Sequence, residues 1–334
     1  MELHQKFQTL CQRTKNLSFY ITGVLICMNI FAISKTPDFF IAKFNSYESQ
    51  KIYLFELSLL FGLCLNIAYN YKNEFKIKDH YLYILIIFNP YLTLLQKTIT
   101  AGVIMFLNQK NIDLIFRGIK HGIIFNIIPA IYQLIFQKSI GLSKIGESLL
   151  STDLSQIAKI EISNHKFIRS YGLLAHPNIL AFISLMNPKI NNKLKDFINL
   201  ITLSGSNTLA LYLKKLKNKK YLNISLIILI LILLIKGQNS LSERFNQIII
   251  NNSHHNFQPI HNLILEPINS KNWGLLYGLI MLTISNINKT YFLIPILLLD
   301  HFIISSFACF TVLILYLKSM DIKTNTVKLK KIII

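Results

Sequence analysis

The chain has 334 residues, 52% of them hydrophobic and 12% aromatic, with a mean hydropathy of +0.44. Only 15% are charged, yet the formal net charge is +20. That balance excludes a soluble globular composition, and without a basic face carrying aromatic platforms nucleic acid is excluded as a partner.

Apolar runs fall at about 19–34, 52–69, 81–95, 98–107, 121–137, 172–186, 197–213, 222–235, 273–287, 291–299 and 302–317. A helix needs about 20 residues to cross the hydrocarbon core. The shorter runs must therefore tilt, borrow interfacial residues or stop part-way. The pattern predicts an all-α, polytopic integral membrane protein with roughly 9–11 transmembrane or re-entrant helices. The runs do not alternate, which excludes an outer-membrane barrel. The N-terminus is basic and then apolar from Phe19 to Ile33. It lacks a clear small-x-small cleavage site, so it reads as a first spanning helix rather than a signal peptide.

Loop charge orients the chain. The N-terminal tail, loops 70–80 and 108–120, the stretch Lys189 to Lys195, the cluster Lys214 to Lys220 and the tail from Lys318 are basic and read as cytoplasmic. By elimination 35–51, 138–171 and 236–272 face outward. Residues 187–196 and 214–220 are both basic although a single apolar run, 197–213, separates them. Ser204-Gly205-Ser206-Asn207 in its middle is a good turn, so this run is expected to enter and return. No fixed-period repeat and no soluble region of independent size is present. Residues 1–334 are read as one membrane domain whose loops 138–171 and 236–272 form the site. Cys11, Cys27, Cys64 and Cys309 are scattered without a Cys-x-x-Cys pair, so neither a disulfide framework nor a thiolate metal site is expected.

Only four of the 35 basic side chains are arginine: Arg13, Arg117, Arg169 and Arg244. Arginine offers a planar fork that grips phosphate through two parallel hydrogen bonds, which lysine cannot do. Arg169 and Arg244 stand in the two long outward loops. Two readings of them are open. They bind a phosphate, or they are interfacial anchors paired with Glu161 and Glu243.

Arg169-x-x-Gly172-x-x-x-His176-Pro177-Asn178-x-x-Ala181 resembles the motif that opens the characteristic region of the O-antigen ligase-like superfamily. Ser204-Gly205-Ser206-Asn207 is similar to that family's Ser-Arg pair. Ser240-Leu241-Ser242-Glu243-Arg244-Phe245 resembles its second arginine region, and His261-Asn262 its His-Asn signature, followed by Gly274 and Gly278. The ordered set covers about 160–300. Two departures stand out. Asn207 replaces the usual arginine, and the region from His176 to Lys214 is short for the helices expected there.

The resemblance implies a GT-C-like glycosyltransferase that inverts and needs neither metal nor cofactor. Its donor would be a glycan on undecaprenyl pyrophosphate, and its acceptor a hydroxyl of a lipid A core sugar, another repeat unit or a protein. Ligase, polymerase and protein O-oligosaccharyltransferase activities all fit. The site would face outward from the inner (cytoplasmic) membrane. The residue types suit this chemistry. The donor leaves as a diphosphate, and a fixed cation there stabilises the transition state more than the ground state. Arg169 and Arg244 fill that role. A neutral histidine can take the proton of the attacking hydroxyl, and His261 is the candidate. A loop histidine bonded to backbone is the plain alternative. His254, His255 and His261 could form a metal cluster, but adjacent histidines diverge on most backbones. Asn178, His176, Asn262, Ser206 and Asp300 are the candidate substrate-binding residues. Pro177 suits the first turn of a helix, whose free N–H groups favour an anion. A lipid-linked glycan flippase is the rival reading.

Overall fold

The computed structural model describes residues 2–34, 51–70, 80–87, 89, 92–152, 157–162, 165–215 and 306–333. The described chain is mostly helical: α1 (Glu2–Ile26), α2 (Leu54–Asn70), α3 (His80–Ile87), α4 (Leu94–Phe106), α5 (Gln109–Phe136), α6 (Pro177–Met186), α7 (Asn192–Thr202), α8 (Gly205–Lys215) and α9 (Phe307–Ile333). Two antiparallel hairpins join them, β1 (Phe31–Ser34) with β2 (Lys51–Tyr53), and β3 (Lys159–Ile162) with β4 (His165–Ile168). The chain falls into two compact units, Met1–Asn207 with Phe302–Ile334, and Thr208–His301. Of the second unit, only residues 208–215 are described, the body and end of α8.

The first unit is organised on α5. This helix starts where the Asn108 side chain accepts the Asn111 amide, and it ends at Gln137 in the left-handed region, φ 54. Among the described residues it is the one helix long and apolar enough to cross a membrane. It begins in the basic stretch 108–120, which the charge pattern assigns to a loop. In the same way α1 reaches back to Glu2 through the basic tail and stops at Ile26, short of the expected 34. Lysine and arginine are good helix formers, so a basic stretch does not mark the end of a helix.

Glycine lets α1 and α5 meet backbone to backbone. A Cβ on Gly118 would lie 2.0 Å from the Tyr20 carbonyl oxygen, and one on Gly23 2.1 Å from that of Ile115. Gly122 closes on Val24 and Cys27 in the next turn. Phe19, Ile115, Ile119 and Ile123 complete a fully buried seam. Small residues four apart that bring helix backbones together are the packing device favoured in lipid.

The long run 81–95 is broken. After α3, Thr93 starts α4 with a reciprocal capping box: its hydroxyl accepts the Gln96 amide and the Gln96 side chain accepts the Thr93 amide. The run 197–213 is also broken. Helix α7 ends at Leu203, which is left-handed with φ 50, and α8 begins at Gly205. The two short hairpins are small additions to this mostly helical framework. The second lies inside the long outward loop 138–171 and pairs Lys159 with Ile168, Ile160 with Phe167, Glu161 with Lys166 and Ile162 with His165.

Candidate functional site

The segment after β4 descends along α5. The Ile168 amide donates to the Gln137 side chain at the end of that helix. Next, the amides of Tyr171 and Gly172 donate to Gln133 Oε1 at 2.9 and 2.8 Å. Finally the Leu173 amide donates to Asn126 Oδ1 at 2.6 Å. Gly172 is required at its position because its φ is +61 and a Cβ would lie 2.5 Å from Asn126 Oδ1. Asn126 and Gln133 are buried polar residues two turns apart on one face of an apolar helix. Their amides act as rungs for an irregular chain whose own backbone groups would otherwise be left unpaired.

Glu147 locks this arrangement. It is 2% exposed, and its carboxylate accepts the amides of Ile140, Gly141 and Leu142 at 2.7, 2.8 and 2.6 Å. A fourth bond comes from Gln133 Nε2 at 2.9 Å, and the same nitrogen lies 2.9 Å from the Gly172 carbonyl. Four donors, three of them backbone amides, thus converge on one buried carboxylate. Tyr171 is 3% exposed and its hydroxyl accepts the Ala158 amide at 2.7 Å. Burial pushes its phenol up to about 12, against the opposing effects of that bond and of the Arg169 charge.

Helix α6 starts at this floor. Pro177 is its first residue and His176 its N-cap, with Nδ1 accepting the Asn178 amide at 3.2 Å. An accepting Nδ1 leaves the proton on Nε2. The His176 ring packs edge-on against Tyr171, centroids 5.9 Å apart. Arg169 reaches across the helix start. One terminal nitrogen donates to Asn178 Oδ1, and Nε donates to the Thr202 carbonyl at 3.0 Å. The Asn178 carbonyl accepts Asn207 Nδ2 at 3.3 Å, and that nitrogen also lies 2.8 Å from Ser204 Oγ.

Two stretches apart in sequence are thus joined: Arg169 to Asn178, and the turn from Thr202 to Asn207. The Thr202 carbonyl and Asn178 Oδ1 are neutral acceptors that hold the guanidinium in place. Ser206 lies in the first turn of α8. Arg244, His261, Asn262 and Asp300 lie outside the described residues, as do His254 and His255. Glu161, named as a partner for Arg169, stands on β3 opposite Lys166. Among the described residues no group of three His, Cys, Asp or Glu could hold a metal ion.

Sequence reading misses Asn126, Gln133, Glu147 and Thr202 as parts of this site. The seven-residue spacing of Asn126 and Gln133 within an apolar helix was an available signal. Thr202 contributes a backbone carbonyl, which has no side-chain signature. Compared with protein-family models, with curated proteins and with solved structures, the chain matches none.

Proposed function

We propose that the chain is a polytopic membrane protein of GT-C-like architecture that transfers a glycan from undecaprenyl pyrophosphate to an acceptor hydroxyl. The reaction takes place at the outer face of the cytoplasmic membrane and uses no metal. One observation carries the reading. The Arg169 guanidinium bonds Asn178 within one stretch of the family-like pattern, and the Asn178 carbonyl accepts Asn207 from a second, so two separate stretches form one polar cluster beside apolar helices. The apolar length of α5 and the glycine seam against α1 support a membrane setting.

In this scheme Arg169 and Arg244 grip the pyrophosphate. Negative charge grows there as the glycosidic bond breaks, and a cation already fixed in place stabilises that charge without reorganising. The bonds to Thr202 and Asn178 supply that fixing for Arg169. His261 takes the proton from the acceptor hydroxyl. His176, Asn178, Asn262, Ser206 and Asp300 position the substrates. Lipid A core sugar, a further repeat unit or a protein hydroxyl are the acceptors, giving ligase, polymerase or O-oligosaccharyltransferase activity.

The test uses the purified chain in lipid nanodiscs with an undecaprenyl-pyrophosphate-linked oligosaccharide and the three acceptor types. Transfer releases undecaprenyl pyrophosphate and adds the glycan's mass to one acceptor. If the glycan crosses the bilayer still attached to its lipid, the protein is a flippase and the transferase reading falls.

A further inference from the structure

The exposed stripe of α5 changes character at one level. Arg117 and His121 stand on it one turn apart, both exposed, and the partly exposed Lys120 flanks them. The next turns of the same stripe are apolar: Ile124, Phe125 and Ile128 are 44%, 45% and 69% exposed. From His121 to the end of α5 at Phe136 the sequence holds no Lys, Arg, Asp or Glu. The neighbouring helix changes in the same way. The last such residue of α1 is Lys15, and Leu17 and Ile21 beyond it are exposed and apolar. The close approach of Gly23 and Gly118 holds the two helices in this register.

At the boundary a polar pair joins the helices. The Tyr20 hydroxyl on α1 lies 2.8 Å from His121 Nδ1, with the ring centroids 5.8 Å apart. When the phenol donates, Nδ1 accepts and Nε2 carries the ring proton. Arg117 and Lys120 have no ion pair or hydrogen bond of their side chains among the described residues. Asp113, one turn before Arg117, is already engaged: it accepts Gln109 Nε2 at 3.0 Å and pairs with Lys189 at 3.3 Å. A guanidinium, an ammonium and an imidazole N–H are thus available together, just where α5 turns apolar.

We propose that Arg117, Lys120 and His121, with Tyr20 bracing the imidazole, bind the headgroup of an anionic phospholipid such as phosphatidylglycerol, whose acyl chains lie along Ile124, Phe125 and Ile128. This shares the membrane setting of the transferase reading and none of its chemistry. The order of the stripe selects the occupant. A free anion would engage the cations and leave the apolar turns beyond them uncovered. A phospholipid carries an anion and hydrocarbon end to end, and in the cytoplasmic leaflet its tails point from the headgroup toward the bilayer midplane. The charge pattern puts the basic start of α5 on the cytoplasmic side, so cations and apolar turns come in that same order. Arginine can take two phosphate oxygens at once, and Lys120 and His121 Nε2 each add a donor beside them. The site is open as it stands, and no element has to move for the lipid to dock.

The test uses the full chain in detergent, where no charged bilayer surface contributes. It is titrated with dioctanoyl phosphatidylglycerol and, separately, with dioctanoyl phosphatidylcholine, and bound lipid is counted by native mass spectrometry. The wild type should bind phosphatidylglycerol about tenfold more tightly than phosphatidylcholine, as two cations facing one anionic headgroup require. Arg117→Gln should weaken phosphatidylglycerol binding about fivefold, the worth of one such cation. Lys120→Gln should do the same and serves if Arg117→Gln does not fold. Lys110→Gln is the control: it removes the same charge from an exposed position about 10 Å away along α5 and should bind like the wild type. Inorganic phosphate at the lipid's concentration should not displace it. Equal weakening by Lys110→Gln would make the attraction a property of the whole basic surface and overturn the proposal. Equal affinity of the wild type for the two lipids overturns it as well. Displacement by inorganic phosphate would make this a site for a free anion and overturn the lipid as its occupant. None of these results bears on glycan transfer, which the nanodisc assay reads separately.

Discussion

Adding one methyl group at Gly118 should part α1 from α5. Its Cβ would sit 2.0 Å from the Tyr20 carbonyl oxygen and 3.0 Å from both Gly23 Cα and Val24 N. Ordinary contact begins near 3.4 Å, so α1 must retreat by about 1.4 Å, and a gap of about 0.5–1 Å already forfeits a quarter to a half of each contact's attraction. The seam that opens includes Phe19, Ile115 and Ile119, all at 0% exposure. Overpacking costs about 1–3 kcal/mol, with the upper end expected where the obstacle is backbone and cannot rotate away. Alanine returns about 1 kcal/mol of helix propensity, leaving a net loss of about 2 kcal/mol. Gly102 is the control. There a Cβ meets Leu63 Cδ1 at 3.2 Å, the end of a flexible side chain. Propensity should win, and Gly102→Ala should be neutral or stabilising. The assay heats detergent-purified protein and measures the monodisperse fraction by size-exclusion chromatography. If Gly118→Ala survives heating as well as Gly102→Ala, the close helix crossing is wrong.

Glu147→Gln should destabilise the chain by about 2–4 kcal/mol, because the new NH2 faces one of the donors now bonded to the carboxylate and the charge is lost. A thermal midpoint equal to that of the wild type would contradict the cradle. Lys195 is buried, with Nζ 3.2 Å from the Leu185 carbonyl, and desolvation lowers it to about 8. Since the free ammonium titrates near 10.5, the folded state binds fewer protons than the unfolded state across about pH 8–10.5. Stability should rise with pH through that window and be lost again as pH falls through about 8. Lys195→Met should flatten this slope in melting midpoints measured from pH 7 to 10.5, and an unchanged slope refutes the assignment. Arg244→Lys should abolish most glycan transfer without changing membrane insertion, and normal transfer by lysine refutes the need for a bidentate cation.

Different parts of the fold were legible for different reasons. The apolar runs locate the bodies of α2, α6 and α9 because burial writes a dense hydrophobic signal. They misplace the starts of α1 and α5, where Arg13, Lys15, Lys110 and Arg117 are helical although they read as loop charge. The β3–β4 hairpin was readable in principle. Lys159-Ile160-Glu161-Ile162 alternates with period two, but over four residues such alternation is weak against a search for long runs. In the site, Arg169, His176 and Asn178 stand out because arginine is scarce and Pro177 marks a helix start. Glu147 carries no such mark. Nothing in its sequence neighbours announces three backbone amides, because a curved main chain creates that cradle and side-chain identity does not.

The depth of the site follows from the rungs on α5. The chain passes Gln137 at Ile168 and Asn126 at Leu173, a descent of eleven α5 residues or about 16 Å. Helix α6 then runs down to Asn187, whose Nδ2 donates to the Phe116 carbonyl at 2.9 Å. This is about 15 Å further along α5. Helix α6 therefore begins beside the middle of α5, not at its end, and Arg169 extends from the end of α5 down to the first turn of α6. At the opposite end, cations meet helix C-termini: Lys195 reaches the Leu185 carbonyl and Lys318 that of Ile104. Positive charge at a C-terminus opposes no dipole and holds the helix ends in register. On the membrane reading the lysines occupy the basic face, while the arginine dips below the outer one. A guanidinium at that depth is tolerable only if polar groups hold it, which is what Thr202 and Asn178 do. On the proposed transfer, the same depth suits a lipid-borne donor. A diphosphate tethered to a polyprenyl chain can be drawn to that level with its tail still in the bilayer, whereas a soluble sugar nucleotide would have to leave water completely.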